Sequence, residues 1–224
     1  MSALLPAVLQ IDVVSDVVCP WCYIGKRQLE IALARWQARN PALPAPTLRW
    51  RPFQLNPEMP AAGMPRGDYL LRKFGVPDGG KRYDRVVAAA RAVGIEMNID
   101  AISVQPNTLK AHGLIELAAE SGRQSALAEA FFQAYFIDGR DLSDDQVLRD
   151  VATGLGIGEG LVDAVLTEAS VTQIVAAADA ELRDYGVTGV PLFIIGNAAG
   201  EHLAVNGAQG ADALLEAMLQ VQAA

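Results

Sequence analysis

Hydrophobic positions along the chain switch between two periods. Val8 to Val14 reads Val-Leu-Gln-Ile-Asp-Val-Val, bounded by Pro6 and Ser15-Asp16, and this β-branched run predicts a central strand. Beyond Cys22 the period lengthens, with Leu29, Leu33 and Trp36 at i, i+4 and i+7 and Lys26, Arg27, Glu30 and Arg35 off that stripe. An amphipathic helix is therefore expected to start at or just after Cys19, with Pro20 suited to its first turn, and to end at the Pro-rich segment Asn40 to Pro46. Thr47 to Phe53 alternates again and predicts a second strand, whose Pro52 marks a frayed or edge-like end.

From about residue 65 to 185 nearly everything carries helical spacing. Tyr83, Val86, Ala90 and Val93 form one stripe, closed by Gly94. Asn107 is suited to cap a helix running to Ser121, with Ala111, Leu114, Ile115 and Ala118 on its inner face. Leu127, Phe131 and Ala134 mark another helix, and Ser143-Asp144-Asp145-Gln146 reads as a capping box before the next. The clearest stripe is Val171, Ile174, Val175, Ala178, Leu182 and Tyr185, stopped by Gly186. Gly154 to Gly160 is glycine-rich, but it has no G-x-G-x-x-G register and no strand precedes it, so a helix–helix connection is expected there.

Strand patterning returns at Pro191 to Ile195 and His202 to Val205, around a turn at Asn197 to Gly200. A last helix carries Leu214, Leu215, Met218 and Val221. The order is β-α-β, a helical block, then β-β-α, which is an α/β unit interrupted by an all-helical insertion.

Composition narrows the classes. The 224 residues are 51% hydrophobic and 20% charged, an ordinary globular balance with enough chain for a core that needs no disulfide staples. No uncharged apolar run approaches the ~18 residues of a membrane span. Met1 to Gln10 shows neither a basic n-region nor a cleavage pattern, so a cytoplasmic protein is expected. The net charge of −8 argues against nonspecific binding to nucleic acid or a membrane surface. That charge is unevenly spread: residues 1–112 hold 14 Lys/Arg against 9 Asp/Glu, and residues 113–224 hold 4 against 17. An acidic solvated helical face accounts for the second half, and a site favoured by positive potential is the sharper reading of the first.

Both cysteines of the chain lie in Cys19-Pro20-Trp21-Cys22. A C-x-x-C is either half of a metal site or a redox pair. Zinc wants four ligands, and His112 and His202 lie far downstream without H-x3-5-H spacing, so no metal is expected. A strand-to-helix junction is the context for redox chemistry: the partial positive charge and free N–H groups of a helix start favour thiolate, the attacking species. Cys19 is expected to be exposed, with Cys22 shielded one turn further in and able to attack a mixed disulfide. Pro20 and Trp21 bring no ionisable group, so Lys26 or Arg27 would add to the helix end's effect. Asp16 is expected to serve the turn, Trp50 and the helical aromatics the core, and His202 the surface.

The segment Ser15-Asp16-Val17-Val18-Cys19-Pro20-Trp21-Cys22-Tyr23-Ile24-Gly25-Lys26 resembles the active-site segment of DsbA-like thioredoxin-fold oxidoreductases, specifically the FrnE-type branch. Phe53-Gln54-Leu55-Asn56-Pro57, Asn107-Thr108 with Ala111-His112, Gly186 to Pro191 and Asn206-Gly207-Ala208-Gln209 match as well, over most of the chain. The resemblance implies a thioredoxin-like domain of residues 1–60 and 186–224 around a helical insertion of residues 61–185. It implies a cis Val190–Pro191 step beside the dithiol, with Val190 facing Cys19 and able to pair with an extended substrate. Cys19 and Cys22 are then the catalytic pair, with Pro20, Trp21, Val190, Pro191, His112 and Asn107 as substrate-binding residues. His112 would stabilise the Cys19 thiolate or bind substrate, a role to be weighed against that of a helix histidine satisfied by a neighbour.

The activity implied is thiol–disulfide exchange on protein disulfides or dithiols, without a bound cofactor beyond the Cys19–Cys22 disulfide, and with glutathione as a possible co-substrate. Two other readings stand beside it. Glutathione-dependent isomerases of the 2-hydroxychromene-2-carboxylate type and kappa-class glutathione transferases share the insertion but typically carry Ser where Cys19 stands. A non-catalytic peptide-binding or chaperone module would need neither thiol.

Overall fold

The structure, a computed structural model, describes residues 8–224. The absence of a leader read in Met1 to Gln10 falls almost wholly outside the described residues. Strand β1 (Gln10–Ser15) leads through a turn into helix α1 (Pro20–Arg39), and β2 (Thr47–Pro52) follows. Next come a short strand β3 (Met64–Pro65), helices α2 (Arg66–Phe74) and α3 (Arg82–Arg91), and a second short strand β4 (Val104–Gln105). Helices α4 (Leu109–Leu117), α5 (Gln124–Phe136), α6 (Asp145–Gly154), α7 (Glu159–Thr167) and α8 (Ala169–Asp184) complete the middle of the chain. Strands β5 (Leu192–Gly196) and β6 (His202–Asn206) and helix α9 (Ala211–Ala223) close it.

The main sheet has the order β2-β1-β5-β6, with β1 parallel to β2 and the other pairings antiparallel. The β-branched run thus lies at the centre, where Val13 faces Trp50 on one side and Phe193 on the other. Pro52, at the end of the outermost β2, has no N–H to offer a ladder, as its edge position allows. Successive side chains of β1 point to opposite faces. Ile11 and Val13 enter the main core with Leu29 and Trp36 of α1 and Leu214 and Met218 of α9. Val14 packs on the other face with Phe53, Leu192 and Leu182 of α8. The Trp36 indole N–H donates to Gln222 at 2.9 Å, tying α1 to α9 where a bare indole N–H would be costly to bury.

The middle of the chain departs from the sequence reading in four places. It is not all helix, because β3 and β4 pair antiparallel through Met64–Gln105 and Pro65–Val104; two-residue strands are too short to show a period. Asp144, not Ser143, caps α6: its carboxylate accepts from the Gln146 N–H at 2.8 Å, while the Ser143 hydroxyl donates to Asp141. Helix α4 stops at Leu117 and not Ser121. Ile174 of α8 and Tyr185 just past its end face solvent at 60% and 78% exposure, and the inward residues of the helix are Val175, Asp179 and Leu182. Helix α5 is buried nearly all round, with Phe131, Phe132 and Phe136 fully covered and continuous with the core beneath α1. Helices α3 to α7 therefore share one hydrophobic core with α1, α9 and the inner face of the main sheet, while Leu182 of α8 packs on the other face and Tyr69 and Leu70 of α2 form a small cluster with Met59.

Candidate active site

The site begins where β1 ends. Ser15 and Asp16 are buried, and the Asp16 carbonyl accepts the Cys19 N–H at 3.0 Å, closing the turn that sets Cys19 at the start of α1. Cys19 is extended (φ −92°, ψ 112°), as a residue flanking a helix should be, and Pro20 takes the first helical position, where its missing N–H costs nothing. The Cys22 and Tyr23 N–H groups return to the Cys19 carbonyl, so Cys22 stands one turn along the same helix face.

Both thiols are free, and both are buried, at 4% and 2% exposure. The expectation of an exposed Cys19 is therefore corrected: its sulfur faces the Val190 segment, whose carbonyl stands against it. Cys19 instead lines a cavity of about 360 Å³ together with Pro20, Trp21 and Val190. Burial pushes the Cys22 thiol well above its ordinary range, and Cys19, as hydrogen-bond partner and charge, pushes it further. The Ser15 hydroxyl and the Asp16 backbone pull the other way.

The Val190–Pro191 bond is cis, and the Val190 carbonyl oxygen stands 3.8 Å from Cys19 Sγ. Pro191 rests on α1 at Gly25, where an added Cβ would lie 3.0 Å from the Pro191 ring and 3.1 Å from Phe193. Gly25 is thus the close-approach point that lets the proline seat itself one turn beyond Cys22. Trp21 keeps 37% of its surface exposed beside the cavity mouth.

Other residues singled out from the sequence sit elsewhere. His112 is buried and its Nε2 lies 3.3 Å from the buried Asp16 carboxylate, whose second oxygen accepts the Leu55 N–H at 2.7 Å. The histidine is satisfied by a neighbour and reaches the dithiol only through Asp16 and its turn. Asn107 is committed to the backbone, donating to the Met59 carbonyl and accepting from the Leu109 N–H, and it does not line the cavity. Lys26 and Arg27 add no free charge at Cys19. The Lys26 ammonium is held by Glu30 and Glu129, and the Arg27 guanidinium bonds the same two carboxylates. Burial opposes the Glu129 carboxylate, but Lys26 and Arg27 outweigh it and hold Glu129 below the usual carboxylate range. His202 is exposed on β6.

The far wall of the cavity was not visible in the sequence. Arg66, Tyr69 and Lys73 of α2, Arg82 and Tyr83 of α3 and Gln105 of β4 line it. Burial raises the Tyr83 phenol, with Arg66 opposing and Tyr69 and Cys19 adding to the rise. Arg66 pairs with Gln105 and Tyr83 in this wall, partners 39 and 17 positions away with no periodic signature.

The arrangement can exchange disulfides: a thiol at a helix start beside an accessible backbone, with a second thiol one turn behind it. Among the described residues no group of three or more His, Cys, Asp or Glu is placed to hold a metal, and no single helix is long and apolar enough to cross a membrane. Comparison with known proteins gives the kinship. The family model described as the DSBA-like thioredoxin domain matches residues 10–219. A probable DsbA oxidoreductase from Streptomyces coelicolor superposes with a TM-score of 0.82 at 32% identity, over 96% of this chain and 90% of that one. The protein YwbO of Bacillus subtilis is 26% identical over 96% of this chain and 98% of its own. The fold, at 19% identity, is shared with the cytosolic disulfide reductase DsbM of Pseudomonas aeruginosa, with a TM-score of 0.64 over 96% and 95% of the two chains.

Proposed function

The chain belongs to the DsbA-like thioredoxin-domain family, and we propose that within it this protein is a thiol–disulfide oxidoreductase whose Cys19 attacks and whose Cys22 resolves. One observation carries the reading: Cys19 ends a turn at the helix start, lines the cavity beside the Val190 carbonyl, and has Cys22 one turn behind it. In the reducing direction the Cys19 thiolate attacks a substrate disulfide, forming a Cys19–substrate disulfide and releasing one substrate thiolate. The Cys22 thiolate then attacks the Cys19 sulfur, forming Cys19–Cys22 and releasing the second thiolate. Two electrons pass to the substrate, and the reverse sequence oxidises it.

The raised Cys22 thiol supports the order of events, since the cysteine that stays protonated is not the one that attacks first. Trp21, Pro20 and Val190 supply the substrate's seat beside Cys19. Protein disulfides and glutathione are the partners of this reading. The likeness to a DsbM structure determined with GSH supports the second, and the description of DsbM as cytosolic supports a cytoplasmic setting. Insulin-disulfide reduction by the wild type and by Cys19→Ser is the test. Activity in the wild type that vanishes in Cys19→Ser is expected; equal activity in both contradicts the reading.

A further inference from the structure

Arg66 is a buried guanidinium, 8% exposed, on the cavity wall across from Cys19. Its Nη groups donate to Gln105, Tyr135 and Tyr83, all neutral, and its buried Nε has no partner. No carboxylate lies within ion-pair distance of it among the described residues. A buried cation normally pairs with an anion, because desolvation otherwise goes uncompensated. Two further cations line the same cavity: Lys73, which donates to the Tyr69 hydroxyl at 2.6 Å, and Arg82, which lies over the Phe74 ring.

The positive wall continues outward. An adjoining cavity of about 680 Å³ shares Trp21, Arg82 and Val86 with the first and adds Lys81 and Arg85. None of these five cations is ion-paired among the described residues, whereas Lys26, Arg27, Arg51 and Arg149 all hold carboxylates. No acidic residue lines either cavity; Asp78, Asp84 and Asp100 line a third one, which meets the first at Tyr83.

We infer that this trough selects acidic polypeptide substrates, with Asp or Glu beside the cysteine undergoing exchange and Arg66 anchoring a carboxylate near Cys19. The inference rests on the oxidoreductase reading and adds its substrate class. Guanidinium suits the role because its planar fork matches a carboxylate. A polypeptide fits better than a compact disulfide, because the cations run past Trp21 through two joined cavities. The lysine and arginine excess of residues 1–112 thereby acquires a location.

Three peptides of one sequence test it, each with a single cysteine as its 2-thiopyridyl mixed disulfide and flanked by Glu, Gln or Lys. The Cys19 thiolate attacks the peptide sulfur, the pyridyl S–S bond breaks, and the leaving thiolate takes a proton to give the absorbing thione. Cys22 then displaces the peptide thiolate. At low salt the Glu peptide should react about tenfold faster than the Gln peptide, and the Lys peptide slowest, with the advantage shrinking as salt screens it. Arg66→Gln, and the exposed pair Lys73→Gln with Arg82→Gln should Arg66→Gln not fold, should bring the Glu-to-Gln ratio towards one. Arg35→Gln, on the distant pair with Asp212, should keep it. Equal rates for the three peptides, or a ratio that survives in the variants, overturn the inference. So does a loss of rate in the variants towards oxidised glutathione with none towards the Glu peptide. A wild type that attacks none of the peptides contradicts the oxidoreductase reading itself, which separates the two failures.

Discussion

Cys19 and Val190 stand 171 positions apart in the chain, yet the Cys19 thiol points at the Val190 carbonyl oxygen at 3.8 Å. That proximity is built by Gly25, which lets Pro191 rest directly on α1, one turn beyond Cys22. The middle of the chain contributes the opposite wall, so the dithiol lies between two surfaces that arrive from different parts of the sequence.

Gly25→Ala tests the seat. In an unobstructed helix the change would stabilise by about 1 kcal/mol. Here the new methyl meets the Pro191 ring at 3.0 Å and Phe193 at 3.1 Å, both on buried residues of the β5 segment. Overpacking of this kind costs about 1–3 kcal/mol, and it moves Val190 away from Cys19. Denaturant unfolding should show a net loss of stability and exchange assays a slower reaction. A stabilised variant with unchanged exchange would mean that the contact yields freely.

His112→Ala should destabilise through Asp16. The buried carboxylate keeps its bond from the Leu55 N–H but loses its side-chain partner, and a cavity opens beside Ile115 and Trp50. A loss of about 2–4 kcal/mol in chemical denaturation is expected. Exchange activity should fall less than it does on loss of either cysteine, since His112 touches neither. A fully folded but inactive His112→Ala would make the histidine catalytic.

Glu129→Gln should destabilise by about 3 kcal/mol, because Lys26 is 5% exposed and would rest on Glu30 alone. Glu129 also bonds Arg27, Tyr23 and Gln133. Its carboxyl is held low in the folded protein, so the stability it contributes is full above the unfolded value of about 4.3 and is lost as pH falls through the folded one. Thermal melts at neutral pH and at about pH 3 should therefore separate wild type from variant most at neutral pH. A constant difference between them would contradict this.

The alkaline limb is set by buried phenols together with the raised Cys22 thiol. Burial first, then the Glu129 charge, pushes Tyr23 up to about 12 against the opposing charge of Arg27, and burial raises Tyr83 and Tyr135 as well. A raised group keeps its proton when the unfolded chain would release it, so its stability is full below about pH 10 and is lost as pH rises through about 12. Unfolding free energy should fall steeply over that interval. A flat profile would show that these phenols ionise without unfolding.

Much of this was legible where the signal is local. The β-branched run of β1, the amphipathic start of α1 and the two cysteines between them lie within one stretch of chain, and the structure keeps that order. The rest depends on distant meetings. Asp16 finds His112 96 positions away, and Arg66 finds Gln105 39 positions away, through polar contacts that leave no hydrophobic period. On α8 the period itself misled: Asp179 is an inward residue because it accepts the Gln54 N–H and pairs with Arg183, while the apolar Ile174 and Tyr185 are left in solvent. The meeting of Cys19 with the Val190 carbonyl likewise joins residues 171 positions apart.

The division of labour between the thiols is the centre of the account, and trapping measures it directly. Reduced Cys22→Ser and Cys19→Ser proteins are exposed to oxidised glutathione and weighed by mass spectrometry. Cys22→Ser should accumulate one glutathione on Cys19, because attack still occurs and nothing resolves it. Cys19→Ser should trap none, since Cys22 is buried behind it and its thiol is raised. An adduct on Cys19→Ser with none on Cys22→Ser would reverse the assigned roles and contradict the mechanism.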